Sequence, residues 1–115
     1  MGLAKELRTR REVKVREVDV PEWGDDSGAF KLYCKPVTCY DMNQLQKKHP
    51  NFLENTTIAA MVDLIVMKAE DQSGERLFTA ADDRMELMGE HTDVISNIAN
   101  QMFADIESEE DLVKN

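Results

Sequence analysis

The sequence predicts an α+β fold: an N-terminal β-hairpin or small antiparallel sheet, followed by a bundle of four main helices with a weak fifth at the C-terminus. Three observations carry that prediction. Apolar and polar residues alternate up to Val20 and again from Phe30 to Cys34, with the turn residues "GDDSG" between the two runs. Beyond Thr38 the apolar spacing changes to that of helices, and Thr38/Asp41 and Thr79/Asp82 stand where box-like caps would start them. Finally, 115 residues of which 42% are apolar can build one core, but not two with a cleft between them.

The hairpin comes first. Val13 and Val15 share one parity and Val18 and Val20 the other, so a bulge or a break separates an N-terminal arm from the strand proper. Pro21 has no N–H to give a ladder and is expected to close the first segment. In the second strand Phe30, Leu32 and Cys34 point one way, and Lys31, Tyr33 and Lys35 the other. One helix should then begin near Cys39 and stop before Pro50.

The longest apolar segment, Thr56 to Glu70, predicts the next helix. Ile58, Met61, Val62, Ile65 and Ala69 form one stripe, while Ala60, Leu64 and Met67 gather opposite, so this helix is apolar on two faces. "DQSG" ends it as a helix-to-helix turn, and a further helix is expected to stop at Gly89 in a left-handed cap. The run from Asp93 to Ile106 places Val94, Ile95, Ile98, Ala99, Met102, Phe103 and Ile106 on one broad stripe, and Ser108 with Asp111 starts the weak fifth helix. The organisation expected is a basic, flexible arm over 1–15, one domain over 16–107 and an acidic tail over 108–115.

Charge divides the chain unevenly. Net charge is −9, yet residues 1–16 hold six cations against Glu6 and Glu12, a local +4 that leaves −13 on the rest. A body of that sign repels phosphate backbones, so nucleic acid is not an expected partner. No apolar run has the length of a membrane span, and the charged start "MGLAKELRTRREVKV" is not that of a leader, so the expected location is the cytoplasm, without a membrane partner. There Cys34 and Cys39 are expected to remain free thiols.

Groups that carry chemistry are scarce. His49 and His91 lie at helix ends, where solvent or a helix C-terminus is the ordinary surrounding. Cys34, Cys39 and His49 lack the count and spacing of a zinc site, and "EDQSGE" lacks the ligand order of a calcium loop. The five glycines are scattered and form no phosphate loop. No catalytic residue, cofactor or metal is therefore assigned. What remains is apolar surface. Met61, Met67, Met85, Met88 and Met102 fall in the helical part, and methionine suits faces that accept apolar partners of varied shape, although a helix packed on both sides would account for Leu64 and Met67 equally well.

"REVDVPEWG", Arg16 to Gly24, with "FKLYCKPVT", Phe30 to Thr38, resembles the N-terminal hairpin of the tail assembly chaperones of long-tailed bacteriophages, where a "vpeWg" turn leads into a "vyvrpmt" strand. The stretch from Glu70 onward, "EDQSGERLFTAADDRMELMGEHTDVISNIANQMFADIESEEDLVKN", is similar to that family's "deDGkrlFtdeDvealgek" element and its closing helix and acidic end. Lys35 stands where the family often has Arg, and residues 41–57 match only loosely. The resemblance implies a protein that binds the tape-measure protein, keeps its apolar helical stretches from aggregating, helps recruit tail-tube subunits in the host cytoplasm, and is absent from the mature virion. It also admits a frameshifted longer form as partner, and self-association.

The receptive face expected for such a client is Ala60, Leu64 and Met67, with Met85, Leu87 and Met88. Trp23, the single tryptophan, has two readings: a lid folded over the end of the core, which is favoured, or an anchor for a partner. Alternation places it opposite Val18 and Val20, so Pro21 or Gly24 must redirect the chain for a lid. Two other classes compete: an acidic interaction or regulatory protein that binds a basic partner, and a structural tail subunit that stays in the particle.

Overall fold

The computed structural model describes residues 2–10, 14–52 and 54–103. In chain order these form α1 (Leu3–Arg10), β1 (Arg16–Asp25), β2 (Gly28–Cys34), α2 (Cys39–Lys48), α3 (Ile58–Lys68), α4 (Asp83–Met88) and α5 (Thr92–Met102). The predicted α+β class is what is found. The four main helices are α2 to α5; a fifth, α1, lies in the N-terminal arm, where the sequence reading has only a flexible basic segment. Val13, Ile106 and the weak helix and tail read after it lie outside the described residues.

β1 and β2 pair antiparallel, with Val18 opposite Leu32 and Val20 opposite Phe30. Because side chains alternate across a strand, Val18, Val20, Leu32 and Cys34 share one face, and all four are buried. Burial also pushes the Cys34 thiol up to about 11. On the other face Lys31 pairs with Glu17 at 2.6 Å in the open. The parity change seen in the sequence is a break, since β1 starts at Arg16 and Val15 lies exposed before it. Pro21 does not end β1; instead the register slips between Val20 and Asp25.

The turn that joins the strands is held by its own polar groups. The Asp25 carboxylate accepts from the Ser27 N–H at 2.9 Å, and Gly28 takes φ +133°, a conformation that side chains disfavour. A third piece of backbone extends this sheet. Tyr33 and Glu70 exchange two backbone hydrogen bonds of 2.8 Å, and Glu70 bridges in turn to Arg76. "DQSG" is thus the tip of a small β-turn structure rather than a helix-to-helix turn. Asp71 receives the N–H groups of Ser73 and Glu75 there, and Gly74 sits at φ +93°.

α2 starts as the sequence predicts. Thr38 accepts from the Asp41 N–H at 3.1 Å and the Asp41 carboxylate accepts from the Thr38 N–H at 3.0 Å, a reciprocal capping box. Asp41 also receives Lys68 of α3 at 2.8 Å, which ties the two helices at that end. Burial pushes the Asp41 carboxyl up, but the hydrogen bonds from Lys68 and Thr38 outweigh it and hold it below the ordinary carboxylate value. α3 is capped by Thr57, which accepts from Ala60 N–H at 3.2 Å.

α3 is the axis of the molecule. It packs against α2, α4 and α5, and α5 packs in turn against β1. Surrounded in this way, α3 buries Ala60, Val62, Asp63, Leu64 and Ile65, residues that point in nearly every direction around the helix. α5 is amphipathic as read, burying Val94, Ile95, Ile98, Ala99 and Met102. The cap at the end of α4 differs from expectation. Gly89 has φ −83°, not left-handed, because the chain passes almost directly into α5, whose N-cap is His91. The predicted Thr79/Asp82 box is absent as well: Asp82 makes no side-chain cap, and Asp83 reaches back to the Ala80 N–H at 3.0 Å.

Candidate functional site

The hairpin end and α4 meet at one surface. The slip in β1 turns the chain at Pro21–Gly24, so that Trp23 crosses to the side of Val18 and Val20 and packs against the core. Gly24 permits this close approach: a Cβ there would lie 2.8 Å from the Ala29 Cα and closer still to the Gly28 carbonyl oxygen. The Trp23 ring meets Phe30 and Phe78 edge to face, with both centroid distances 6.1 Å. Its Nε1–H donates to Glu90 Oε2 at 2.7 Å. That hydrogen bond and one from the His91 N–H hold the Glu90 carboxyl below its ordinary value. Trp23 is half-buried, and the lid reading describes this geometry.

Beside the ring lies a cleft of about 210 Å³ lined by Trp23, Phe78, Asp83, Glu86, Leu87 and Glu90. Its floor is aromatic and aliphatic. Its rim carries three carboxylates and no basic side chain. Asp83, Glu86, Leu87 and Glu90 come together because spacings of three, four and seven return to one side of a helical turn. The same geometry sends Met85 to the far side of α4 with Met88 toward the flank between, and these two are 76% and 42% exposed.

The residues expected to form one receptive face are therefore divided. Trp23 and Leu87 line the cleft, Leu87 with its side chain mostly buried. Met85 and Met88 are exposed, and Met67 is partly buried against the core. Ala60 and Leu64 are 0% exposed and offer no surface at all. Their side of α3, read from the sequence as receptive, is filled by the packing helices, which is what a helix apolar on two faces requires when neighbours stand on both sides.

Sequence reasoning also missed a polar cluster. Asp63, 6% exposed, receives His49 Nε2 at 2.7 Å and Arg84 Nε at 2.6 Å. His49 is the C-cap of α2, the helix end that its place beside Pro50 suggested, but its ring turns inward onto α3. Burial pushes the Asp63 carboxyl up, and the Arg84 and His49 hydrogen bonds outweigh it, leaving the group below the ordinary carboxylate range. The cluster ties the end of α2 and the start of α4 to the middle of α3. Both oxygens of the carboxylate are engaged, so the group is a brace rather than a base awaiting a substrate. Its partners stand 14 and 21 residues away, so no local motif announces them.

Among the described residues no group of three or more His, Cys, Asp or Glu has an arrangement that holds a metal ion, and no helix is long and apolar enough to cross a membrane. No family model matches the chain, and no curated protein does. The fold is informative. It is similar to the solved structure of the bacteriophage HK97 tail assembly chaperone, with TM-score 0.57 over 89% of this chain and 94% of that one, at 18% identity. The chain has the fold of a phage tail assembly chaperone.

Proposed function

We propose that the protein is a tail assembly chaperone that binds the tape-measure protein, keeps its apolar helical segments soluble and helps recruit tail-tube subunits in the host cytoplasm, leaving before the virion is complete. The observation that carries this reading is the shared fold with the HK97 chaperone over nearly the full length of both chains. The surface supports it. Met85 and Met88 stand exposed on a short helix anchored beneath by Leu87 and the Asp63–Arg84 pair, which presents flexible apolar side chains on a fixed base. The work assigned is binding, without a reaction, cofactor or metal.

The client face in this reading is the outer side of α4, not α3. Co-expression with the tape-measure protein of the same phage tests both parts. A soluble, co-purifying complex is the expected result, and Met85→Lys with Met88→Lys should return the tape measure to the insoluble fraction while the chaperone itself stays folded. A tape measure that stays insoluble beside the folded wild-type chain overturns the function. The acidic rim of the cleft favours one competing reading, a regulatory protein for a basic partner. That reading predicts binding that collapses steeply with salt, whereas an apolar client is held with weaker salt dependence. Stable presence in finished particles would mark a structural subunit instead.

A further inference from the structure

Among the described residues, no cation answers the carboxylates around the cleft beside Trp23. Asp83 commits one oxygen to the Ala80 N–H, and the two oxygens of Glu90 accept from Trp23 Nε1–H and the His91 N–H. The Glu86 carboxylate makes no hydrogen bond or ion pair with a described residue and stands exposed on the rim. Arg84, the arginine of α4, is turned onto Asp63 of α3, and Arg76 donates to the Val66 carbonyl. α4 also has no basic residue in its last turn, so its carbonyl end, where a cation is favoured, meets further negative charge from Glu86 and Glu90. A cation is the missing complement.

Beneath the carboxylates the walls are apolar. The Trp23 and Phe78 rings stand at 75° with centroids 6.1 Å apart, which makes a corner, and Leu87 lines it from α4. Such a corner accepts an aliphatic stem and offers a π face to a cation, and a guanidinium, planar and weakly hydrated, stacks on aromatic rings better than an ammonium does. The volume of about 210 Å³ falls short of the about 300–1,000 Å³ of ligand pockets and suits one long side chain. A free arginine would bring its own carboxylate to an acidic rim. An arginine within a polypeptide would not, and apolar neighbours in that segment find Phe30, 37% exposed and edge to face with Trp23.

We propose that the Trp23–Phe78–Leu87 cleft receives one arginine side chain from an apolar-flanked segment of a different protein, with the aliphatic stem against Trp23 and Leu87 and the guanidinium among Asp83, Glu86 and Glu90. Glu90 is held in place by the two N–H groups and still has lone-pair sites open, since a carboxylate accepts at about four. Its position is set before the partner arrives, which lowers the cost of binding. The site depends on neither Met85 nor Met88 and stands apart from the client face described above.

Trp23 is the single tryptophan and a wall of the cleft, so its emission reads occupancy in the full-length protein. The probe is the blocked peptide acetyl-Ala-Leu-Arg-Leu-Ala-amide, beside the same peptide with lysine or with citrulline, an uncharged isostere of arginine, at the centre. The arginine peptide should change Trp23 emission saturably and bind more weakly as salt rises. The citrulline peptide should bind about tenfold more weakly or worse, and the lysine peptide in between. Glu86→Gln should weaken binding of the arginine peptide about threefold, and Asp83→Asn with Glu86→Gln about tenfold, without moving the unfolding transition. Glu54→Gln removes an exposed charge outside the cleft and should bind as wild type does. An emission that ignores the arginine peptide, a citrulline or lysine peptide that binds equally well, or a Glu54→Gln effect equal to that of Glu86→Gln would each overturn the proposal, the last by assigning the attraction to net charge. Met85→Ser with Met88→Ser should leave peptide binding intact, and its loss would overturn the separation of the two sites. Tape-measure capture is read by co-expression, so either hypothesis can fail without the other.

Discussion

α3 and α4 are the two methionine- and leucine-rich helices of this molecule, "IAAMVDLIVMK" and "DRMELM", and they have opposite fates. α3 stands among α2, α4 and α5 and buries residues on every side; α4 lies at the rim, buries Leu87 alone and leaves Met85 and Met88 in the open. Each carries two methionines and one leucine. The difference comes from how many neighbours surround the axis, and it teaches that excess apolar surface on a helix marks a binding face only where packing elements run out.

The sharpest way to break this contrast is to truncate one leucine on α3. Leu64 is fully enclosed, so Leu64→Ala removes buried methyl groups and leaves a cavity, with an expected loss of about 2–5 kcal/mol in denaturant unfolding. A loss no larger than that of a surface substitution would mean that α3 has a free face after all, and would restore the receptive role first read for Ala60 and Leu64.

The second way is to cut the brace between the two helices. Asp63→Asn keeps the shape but removes the charge that Arg84 and His49 hold, at an expected cost of about 1–3 kcal/mol. The pH dependence has a definite sign. Asp63 in the folded protein keeps its charge to lower pH than the ordinary 3.8, so unfolding takes up protons in that range. Its stabilisation is complete above about pH 5 and is lost as the pH falls through 3.8 toward the lower folded value. Asp41, held down by Lys68 and Thr38 against the upward push of burial, acts in the same direction. Acid unfolding of Asp63→Asn should therefore be shallower than that of wild type. An unchanged acid limb would remove the brace from the account of why α4 stays in place.

How much of this was legible in the sequence depends on the range of each interaction. The Thr38–Asp41 box, the hairpin faces and the stripe of α5 were readable because each is written within a few residues. The Asp63 cluster was not, since its members belong to three separate elements. Nor were the Tyr33–Glu70–Arg76 bridges, which are one residue long and leave no alternating pattern. α1 was read as an arm because eight residues, four of them charged and two of them leucines, fall below what stands alone as a helix. Trp23 falls between: its need for a redirected chain followed from parity, while its partners Phe78 and Glu90 did not.

A smaller effect tests the support on the cleft side of α4. Gly24→Ala pushes a methyl group into the backbone of β2, and a displaced strand end costs about 1–3 kcal/mol. The readout that singles out this region is Trp23. If the slip in β1 sets the ring against Phe78 and Glu90, the variant's emission should shift to the red and its accessibility to a quencher should rise before global unfolding. An unchanged spectrum would mean that Phe78 and α4 hold the ring without the hairpin's help.

The smallest effect completes the contrast. Met85 and Met88 are exposed in this fold, so replacing both by Ser should change stability by no more than about 0.5 kcal/mol, against the several expected for one leucine on α3. The same pair is predicted to decide client capture. A face whose removal leaves the fold intact but abolishes binding has its partner outside the chain, whereas one whose removal unfolds the domain has its partner inside. Should Met85→Ser with Met88→Ser destabilise the protein as Leu64→Ala does, α4 would belong to the core in solution and the apolar client would have to be sought on another surface.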